Sequence, residues 1–215
     1  MGCRMVVETD AVARLAELGL TVEQIERAIR RAEAEASMCT SLDPPIMEGL
    51  TRWGRTNRFL REELVPAGWT YDNPRNLPRT IHPSGEFAIV ATTGDALGQA
   101  EVRPRTKYPK GFATAQAVEV NGQLTLDFGD FAAGYQSMRQ SDANELLTWL
   151  LLFEVTDEGI RVELALPDGI DDGWITSWTE RIILTPFQRD DDRLADLLRS
   201  HHDEEEDVVV AVSRR

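Results

Sequence analysis

The segment from residue 147 to residue 166 constrains the fold more than any other part of the chain, because it predicts a β-hairpin with one register. If residues 156–159 form a four-residue loop, the facing pairs are Val155 and Ile160, Phe153 and Val162, Leu151 and Leu164, and Trp149 and Leu166. All of these side chains are apolar and share one face, and a slip of one residue would turn them to the other face. That other face pairs Glu154 with Arg161, which favours the same register. We therefore expect an antiparallel sheet, to which residues 174–184 add a further strand.

Amphipathic helices are predicted before the sheet. Residues 10–18 read as a short helix, and Thr21 with Gln24 forms a capping box at the start of a second one. A third helix over residues 46–64 has its own apolar stripe and carries several arginines. The sequence therefore predicts an N-terminal helical hairpin followed by an arginine-bearing helix.

The remaining segments are less regular. Residues 65–85 are rich in Pro, Asn and Gly and predict a long ordered loop before a buried strand at 86–92. Residues 113–128 are ambiguous, because Asn121-Gly122 is a hairpin signal inside a segment that also suits a helix. We expect a helix and then a strand there. From Asp190 onward the acidic composition predicts a short helix and a mobile tail.

Charge is unevenly distributed along the chain. The protein carries a net charge of −14, yet residues 51–110 hold ten basic and six acidic residues and are net basic. The overall negative charge opposes non-specific adsorption to polyanions. Any binding of nucleic acid must therefore be local to the basic segment.

The basic segment has the chemistry of a phosphate-binding surface. Guanidinium groups donate two hydrogen bonds to phosphate, and interleaved aromatic rings provide faces on which unpaired bases stack. This combination favours single-stranded nucleic acid or RNA over duplex DNA. The alternative is that these cations pair with acidic residues of the same chain. The candidate nucleic-acid-binding residues are Arg52, Arg55, Arg58, Arg103, Arg105, Lys107, Lys110, Trp53 and Tyr108.

No motif in the sequence assigns an enzymatic activity. Phosphate-binding glycine loops, the nucleophile elbow and the HExxH zinc motif are all missing. His82 is the one histidine outside the tail and is expected in a turn or in packing. A non-enzymatic protein is therefore favoured, and a metal-dependent hydrolase that uses Glu154, Glu163 or Glu180 is the least favoured alternative.

Nothing in the sequence predicts a cofactor, a metal site or a membrane span. Cys3 and Cys39 lack the spacing of a zinc site or a disulfide framework. Asp168, Asp171 and Asp172 crowd one segment, which we interpret as a polar turn. Since no apolar run reaches the roughly 20 residues of a membrane helix, we expect a cytoplasmic protein.

Four short motifs resemble a family of proteins. They are WTERIILTP from Trp178, ELALP from Glu163, ATTGD from Ala91 and TKYPKG from Thr106. Over about residues 45–187 the chain resembles uncharacterised actinobacterial proteins found on phages and mobile elements. The resemblance implies a DNA-associated or host-interacting accessory role, and it assigns no activity and no catalytic residues.

The sequence thus predicts an α+β protein, with the helical hairpin and arginine-bearing helix packed on an antiparallel sheet. We divide it into a helical hairpin (1–40), an α+β core domain (41–188) and a short helix with an acidic tail (189–215). The predicted function is that of a non-enzymatic accessory protein that contacts nucleic acid. The alternative is an acidic interaction module that occupies a nucleic-acid-associated protein. Homo-oligomerisation through the N-terminal helices is a further expectation.

Overall fold

The computed structural model describes residues 2–128 and 146–188, which form an α+β fold. The helices are α1 (Glu8–Glu17), α2 (Val22–Ala36), α3 (Met47–Leu64) and α4 (Phe112–Phe128). The strands are β1 (Arg4–Val6), β2 (Thr70–Asp72), β3 (Arg79–Ile81), β4 (Phe87–Asp95), β5 (Arg105–Thr106), β6 (Leu147–Thr156), β7 (Gly159–Asp171) and β8 (Trp174–Ile183). The expected helix and tail after Asp190 lie outside the described residues.

The strands form one mixed sheet in the order β1-β8-β7-β6-β4-β3-β2, with β5 paired to the end of β4. The predicted hairpin is confirmed: β6 and β7 are antiparallel, with Phe153 opposite Val162 and Val155 opposite Ile160. The expectation of an antiparallel sheet holds only in part, because β4 pairs with β6 and β1 with β8 in parallel. A parallel neighbour needs a long crossover, and the connection that contains α4 is the crossover from β4 to β6.

Both faces of the sheet are covered. Alternation sends Trp149, Leu151 and Phe153 of β6 to the larger core, which also contains side chains of α1, α2 and α3. Leu150 and Leu152 point to the opposite face and join a smaller core with residues of α4. Residues of the N-terminal helices and of the sheet therefore share one hydrophobic core.

Helix α2 begins as predicted, but the N-terminal helices pack differently from a simple hairpin. Gln24 N donates to Thr21 Oγ1, and the Gln24 side chain accepts from Thr21 N, which completes the capping box. The chief helical neighbour of α2 is α3, whereas α1 packs on β1 and β8. The two longer N-terminal helices are therefore the pair whose side chains meet along their length.

Two segments differ from their predicted structure. The expected loop at 65–85 contains the short strands β2 and β3, which pair with each other and continue the sheet from β4. Residues 112–128 form one helix, so the expected strand after the helix is wrong. Asn121 is fully buried there, and its side chain bonds to the backbone of β6 and β7. The Asn-Gly pair therefore serves helix-to-sheet packing and not a turn.

Candidate nucleic-acid interface

The candidate cations divide into two groups with different surroundings. Arg52, Arg55 and Arg58 lie on α3, where each is paired with a carboxylate. Arg52 bonds to Glu33 of α2 and to Glu48, Arg55 pairs with Glu35, and Arg58 donates to Glu62 at 2.8 Å. The alternative interpretation, neutralisation within the chain, thus describes these three arginines.

The pairing between α2 and α3 runs in both directions. Arginines of α2 also bond to glutamates of α3, with Arg27 to Glu63 at 2.7 Å and Arg31 to Glu62 at 2.8 Å. Hydrogen bonds from Arg58 and Arg31 hold the pKa of Glu62 below its usual value. The α3 arginines therefore take part in ion pairs, most of them across the helix–helix interface, in which each guanidinium already has a carboxylate partner.

Arg103, Arg105 and Lys107 have a different environment. They belong to the segment of residues 103–111, which we call the basic loop. Within the part of the chain that the structure describes, these three exposed side chains make no hydrogen bond or ion pair. They are free to bind an external anion.

Local backbone pairing explains why these three side chains face solvent. Thr106 pairs with Gly94 and Arg105 with Asp95 across β5 and β4, and Lys107 N donates to Thr93 O. Strand alternation then buries Pro104 and Thr106 and turns the intervening cations outward. The spacing of the cations at every second residue is therefore what exposes them together.

Lys110 is the fourth cation of the basic loop, and it is drawn into the protein. Its backbone N–H donates to Gly173 O at 2.7 Å, and its Nζ donates to Thr92 Oγ1 at 2.8 Å. Burial lowers the pKa of Lys110 to about 8. The loop thus presents three solvated cations beside one that is partly desolvated.

Exposed aromatic rings lie in and next to the basic loop. Tyr108 is 62% exposed and Phe112 is 72% exposed. The guanidinium carbon of Arg75 lies 5.2 Å from the centre of the Phe112 ring, and its Nη1 donates to Gln116. Rings that are so exposed beside cations are suited to stacking on unpaired bases.

Sequence reasoning missed Arg75 and Phe112 as members of this surface. Arg75 was counted in the basic segment, but only the fold brings it across to the start of α4. It lines a cavity of about 270 Å³ together with Leu77, Gly111 and Phe112. Trp53, in contrast, is half-buried on α3, which packs in the larger core rather than beside α4. The structure therefore does not bring Trp53 and Tyr108 together.

Acidic residues also lie near the basic loop. Asp95 is opposite Arg105, and Asp171 and Asp172 are exposed on the turn between β7 and β8. That turn is held against the loop by the bond from Lys110 N to Gly173 O. A polyanion must approach from the side of Arg103, Arg105 and Lys107 to avoid these carboxylates.

The three glutamates of the hydrolase alternative have structural partners. Glu163 accepts from Arg181 and from Gly98 N, and Glu154 accepts from Leu97 N at 3.1 Å. Glu180 accepts two bonds from Arg14 of α1. Arg161, opposite Glu154 as predicted, pairs with Glu158 instead. Each of these carboxylates thus has a structural partner that holds a loop or a helix in place.

His82 is a packing residue, in agreement with its interpretation from sequence. Its ring stacks on Phe87 with 4.6 Å between centres and meets Trp69 edge-on at 4.9 Å. Ser84 N donates to Nδ1 at 3.1 Å, and burial lowers the pKa of the imidazole. The hydrogen bond to Nδ1 and the burial of the ring both favour the neutral imidazole.

No other kind of site emerges from the comparisons or from the described residues. No protein-family model, curated protein or solved structure matches the chain. Within residues 2–128 and 146–188, no three His, Cys, Asp or Glu side chains are grouped to hold a metal ion. In the same ranges no helix is long and apolar enough to cross a membrane. The basic loop and its aromatic neighbours are therefore the candidate site.

Proposed function

We propose that this protein is a non-enzymatic, cytoplasmic accessory protein that binds single-stranded nucleic acid through the basic loop. The observation that carries the proposal is the row of Arg103, Arg105 and Lys107, exposed and without partners in the described chain. A phage or mobile-element origin is part of the proposal and rests on the sequence motifs alone.

The surface is compatible with the large negative charge of the protein. At a net charge of −14, long-range repulsion weakens the approach of a polyanion. Contacts at the loop must outweigh that repulsion at short range, where several cations act together. We therefore expect modest affinity that falls steeply with added salt.

Tyr108 and Phe112 are the reason to prefer a single strand. Base stacking on an exposed ring contributes on the order of 1–3 kcal/mol per base, and it requires bases that are not already stacked in a duplex. Both rings are more than half exposed and flank Lys110. A single strand can use the rings and the cations at once, whereas a duplex offers phosphates alone.

Fluorescence anisotropy with labelled single-stranded DNA, duplex DNA and RNA over a salt series tests the proposal. The main variant changes Arg103, Arg105 and Lys107 to Gln. A matched control changes Arg27, Arg55 and Arg58 to Gln, which removes the same charge from arginines that are paired with glutamates. The main variant should weaken binding by at least about tenfold and lower the salt slope by about 2, since each phosphate contact contributes about 0.7.

Two results would contradict the proposal. Equal loss of affinity in both variants would show that only net charge matters. Absence of binding at low salt would overturn the nucleic-acid proposal and favour the alternative, a protein partner that recognises the acidic remainder of the chain.

Self-association through the N-terminal helices remains a prediction, and the structure identifies where to test it. Met38, Leu42, Ile46 and Leu50, at the α2–α3 connection, are between 48% and 94% exposed. Sedimentation of a variant with Leu42→Glu and Ile46→Glu should show a smaller species than the parent if these side chains are covered by a second copy.

A further inference from the structure

The chain contains only two lysines, Lys107 and Lys110. They are three residues apart in the basic loop and have different environments. Lys107 is exposed, and its side chain makes no hydrogen bond or ion pair in the described part of the protein. Lys110 is partly buried, and its ammonium donates to the hydroxyl of Thr92, a residue only 8% exposed. Lys107 is thus an exposed surface cation, whereas the side chain of Lys110 is hydrogen-bonded to a strand of the sheet.

Among residues 2–128 and 146–188, no carboxylate forms an ion pair with Lys110. The charged groups on the elements next to it include Asp95 of β4, the β7–β8 carboxylates Asp171 and Asp172, Glu119 of α4, and the other three cations of the basic loop. None of these carboxylates lies within the ion-pair distance of 4.0 Å from Nζ. Burial without a counter-charge disfavours the ammonium and lowers the pKa of Lys110 to about 8.

A partly buried ammonium without a paired carboxylate lowers the stability of the folded state, so folding by itself does not explain its position. The hydroxyl of Thr92 uses its oxygen to accept from Nζ, and its own proton has no acceptor in the described chain. An incoming oxyanion could therefore bond to both groups, with the ammonium supplying the charge. Within the described residues these two groups therefore leave a place that suits a phosphate oxygen.

We propose that Lys110, assisted by the hydroxyl of Thr92, is the phosphate anchor of the basic loop, so that a phosphate of the bound strand completes its ion pair. The inference rests on the proposed function and deepens it, because it makes binding depend on protonation of one amine. Phosphate bound to Nζ favours the ammonium form. The complex therefore holds Lys110 protonated at a pH where the free protein has begun to lose that proton.

Proton uptake follows from this linkage. Near pH 7 the free amine is already mostly protonated, and binding takes up little. As the pH rises from about 8 to about 9, the free amine changes from half protonated to mostly neutral, so binding takes up a growing fraction of a proton and the affinity should fall by up to about tenfold per pH unit.

The experiment measures binding of a labelled oligothymidylate of about 20 nucleotides from pH 7 to about pH 9, with proton uptake from calorimetry in buffers of different ionisation enthalpy. The parent should take up a fraction of a proton near pH 8.5 and bind more weakly as pH rises. Lys110→Arg keeps its charge and should flatten the profile. Lys107→Arg, the matched control, should leave the profile unchanged.

The outcomes separate this inference from the proposed function. Binding at pH 7 with no proton uptake at pH 8.5 would overturn the anchor and leave the interface intact. The same pH profile in the parent and in Lys110→Arg would do so as well. No binding at pH 7 would remove both. The calorimetric measurement on the parent requires no variant, so a failure of Lys110→Arg to fold would not prevent the test.

Discussion

Arg181 of β8 and Glu163 of β7 are diagonal neighbours on adjacent strands, where Arg181 is opposite Ala165, and they form a two-point ion pair with both nitrogen–oxygen distances at 2.9 Å. Glu163 is completely buried and Arg181 is 3% exposed. Arg181 also donates to Val102 O and Gln99 O, and Glu163 accepts from Gly98 N. The pair therefore fixes the loop that leads from β4 to the basic loop.

Removing one member of this pair should be strongly destabilising. Arg181→Met leaves the Glu163 carboxylate buried without its partner, and we expect a loss of about 3 kcal/mol or more in the free energy of unfolding. The double variant Glu163→Leu with Arg181→Met should lose less than the single one, because no charge is left unpaired. Arg161→Met, whose partner Glu158 is exposed, is the control and should stay within about 1 kcal/mol of the parent. Urea unfolding at neutral pH decides the matter, and a single variant as stable as the control would contradict the assignment.

Asn121 provides the second test. Its amide donates to Thr148 O at 2.9 Å and to Pro167 O at 2.8 Å, and its oxygen accepts from Thr148 N at 2.8 Å. Asn121→Ala leaves these buried backbone groups unpaired and should lower the free energy of unfolding by about 2–3 kcal/mol. Gln123→Ala, an exposed position on the same helix, should change it by less than about 0.5 kcal/mol. Equal stability of the two variants in urea unfolding would show that the amide contributes nothing.

Asn121 also illustrates why part of the fold could not be predicted from sequence. The Asn-Gly pair is a local signal for a turn, and it was overridden by bonds to strands that are distant in the chain. The register of the 147–166 hairpin could be predicted because apolar pairs on one face and a charge pair on the other both specify it. The capping box of α2 was predictable because its two residues are three positions apart.

The candidate site shows the same division between local and distant information. The basic segment is visible in the sequence, but its separation into paired and free cations depends on which helix lies beside α3. The glutamates that neutralise Arg52 and Arg55 come from α2. The exposure of Arg103 and Arg105 depends on pairing between β5 and β4. Strand β5 has two residues, which is too short to produce an alternating pattern in the sequence.

Stability measurements should distinguish the paired cations from the free ones. Arg52→Ala removes two hydrogen bonds from the carboxylate of Glu33, a residue that is 8% exposed, and should cost about 1–2 kcal/mol in the free energy of unfolding. Arg103→Ala removes a side chain without a described partner and should change stability by less than about 0.5 kcal/mol. The affinity for single-stranded DNA should respond in the opposite order. Thermal unfolding of the two variants tests the expected stabilities, and fluorescence anisotropy on the same samples tests the expected affinities. A loss of stability in Arg103→Ala would show that this side chain stabilises the fold and would contradict its assignment as a free cation of the interface.

Lys110 should also make the stability of the unbound protein depend on pH. The folded state lowers the pKa of Lys110 from a usual value near 10.5 to about 8, so between these values the unfolded chain holds more protons than the folded one. This residue's penalty is then fully present below about pH 8 and disappears as the pH rises toward 10.5. Lys110→Met removes the charge and should raise the free energy of unfolding at pH 7 by about 1–2 kcal/mol, after allowance for solvent screening.

The difference between Lys110→Met and the parent, measured by urea unfolding at several pH values, isolates this amine from every other group that titrates. That difference should shrink toward zero by about pH 10, whereas Lys107→Met should give a flat line; a gain that persists at high pH would mean that the methionine stabilises by packing and that the ammonium carries no penalty.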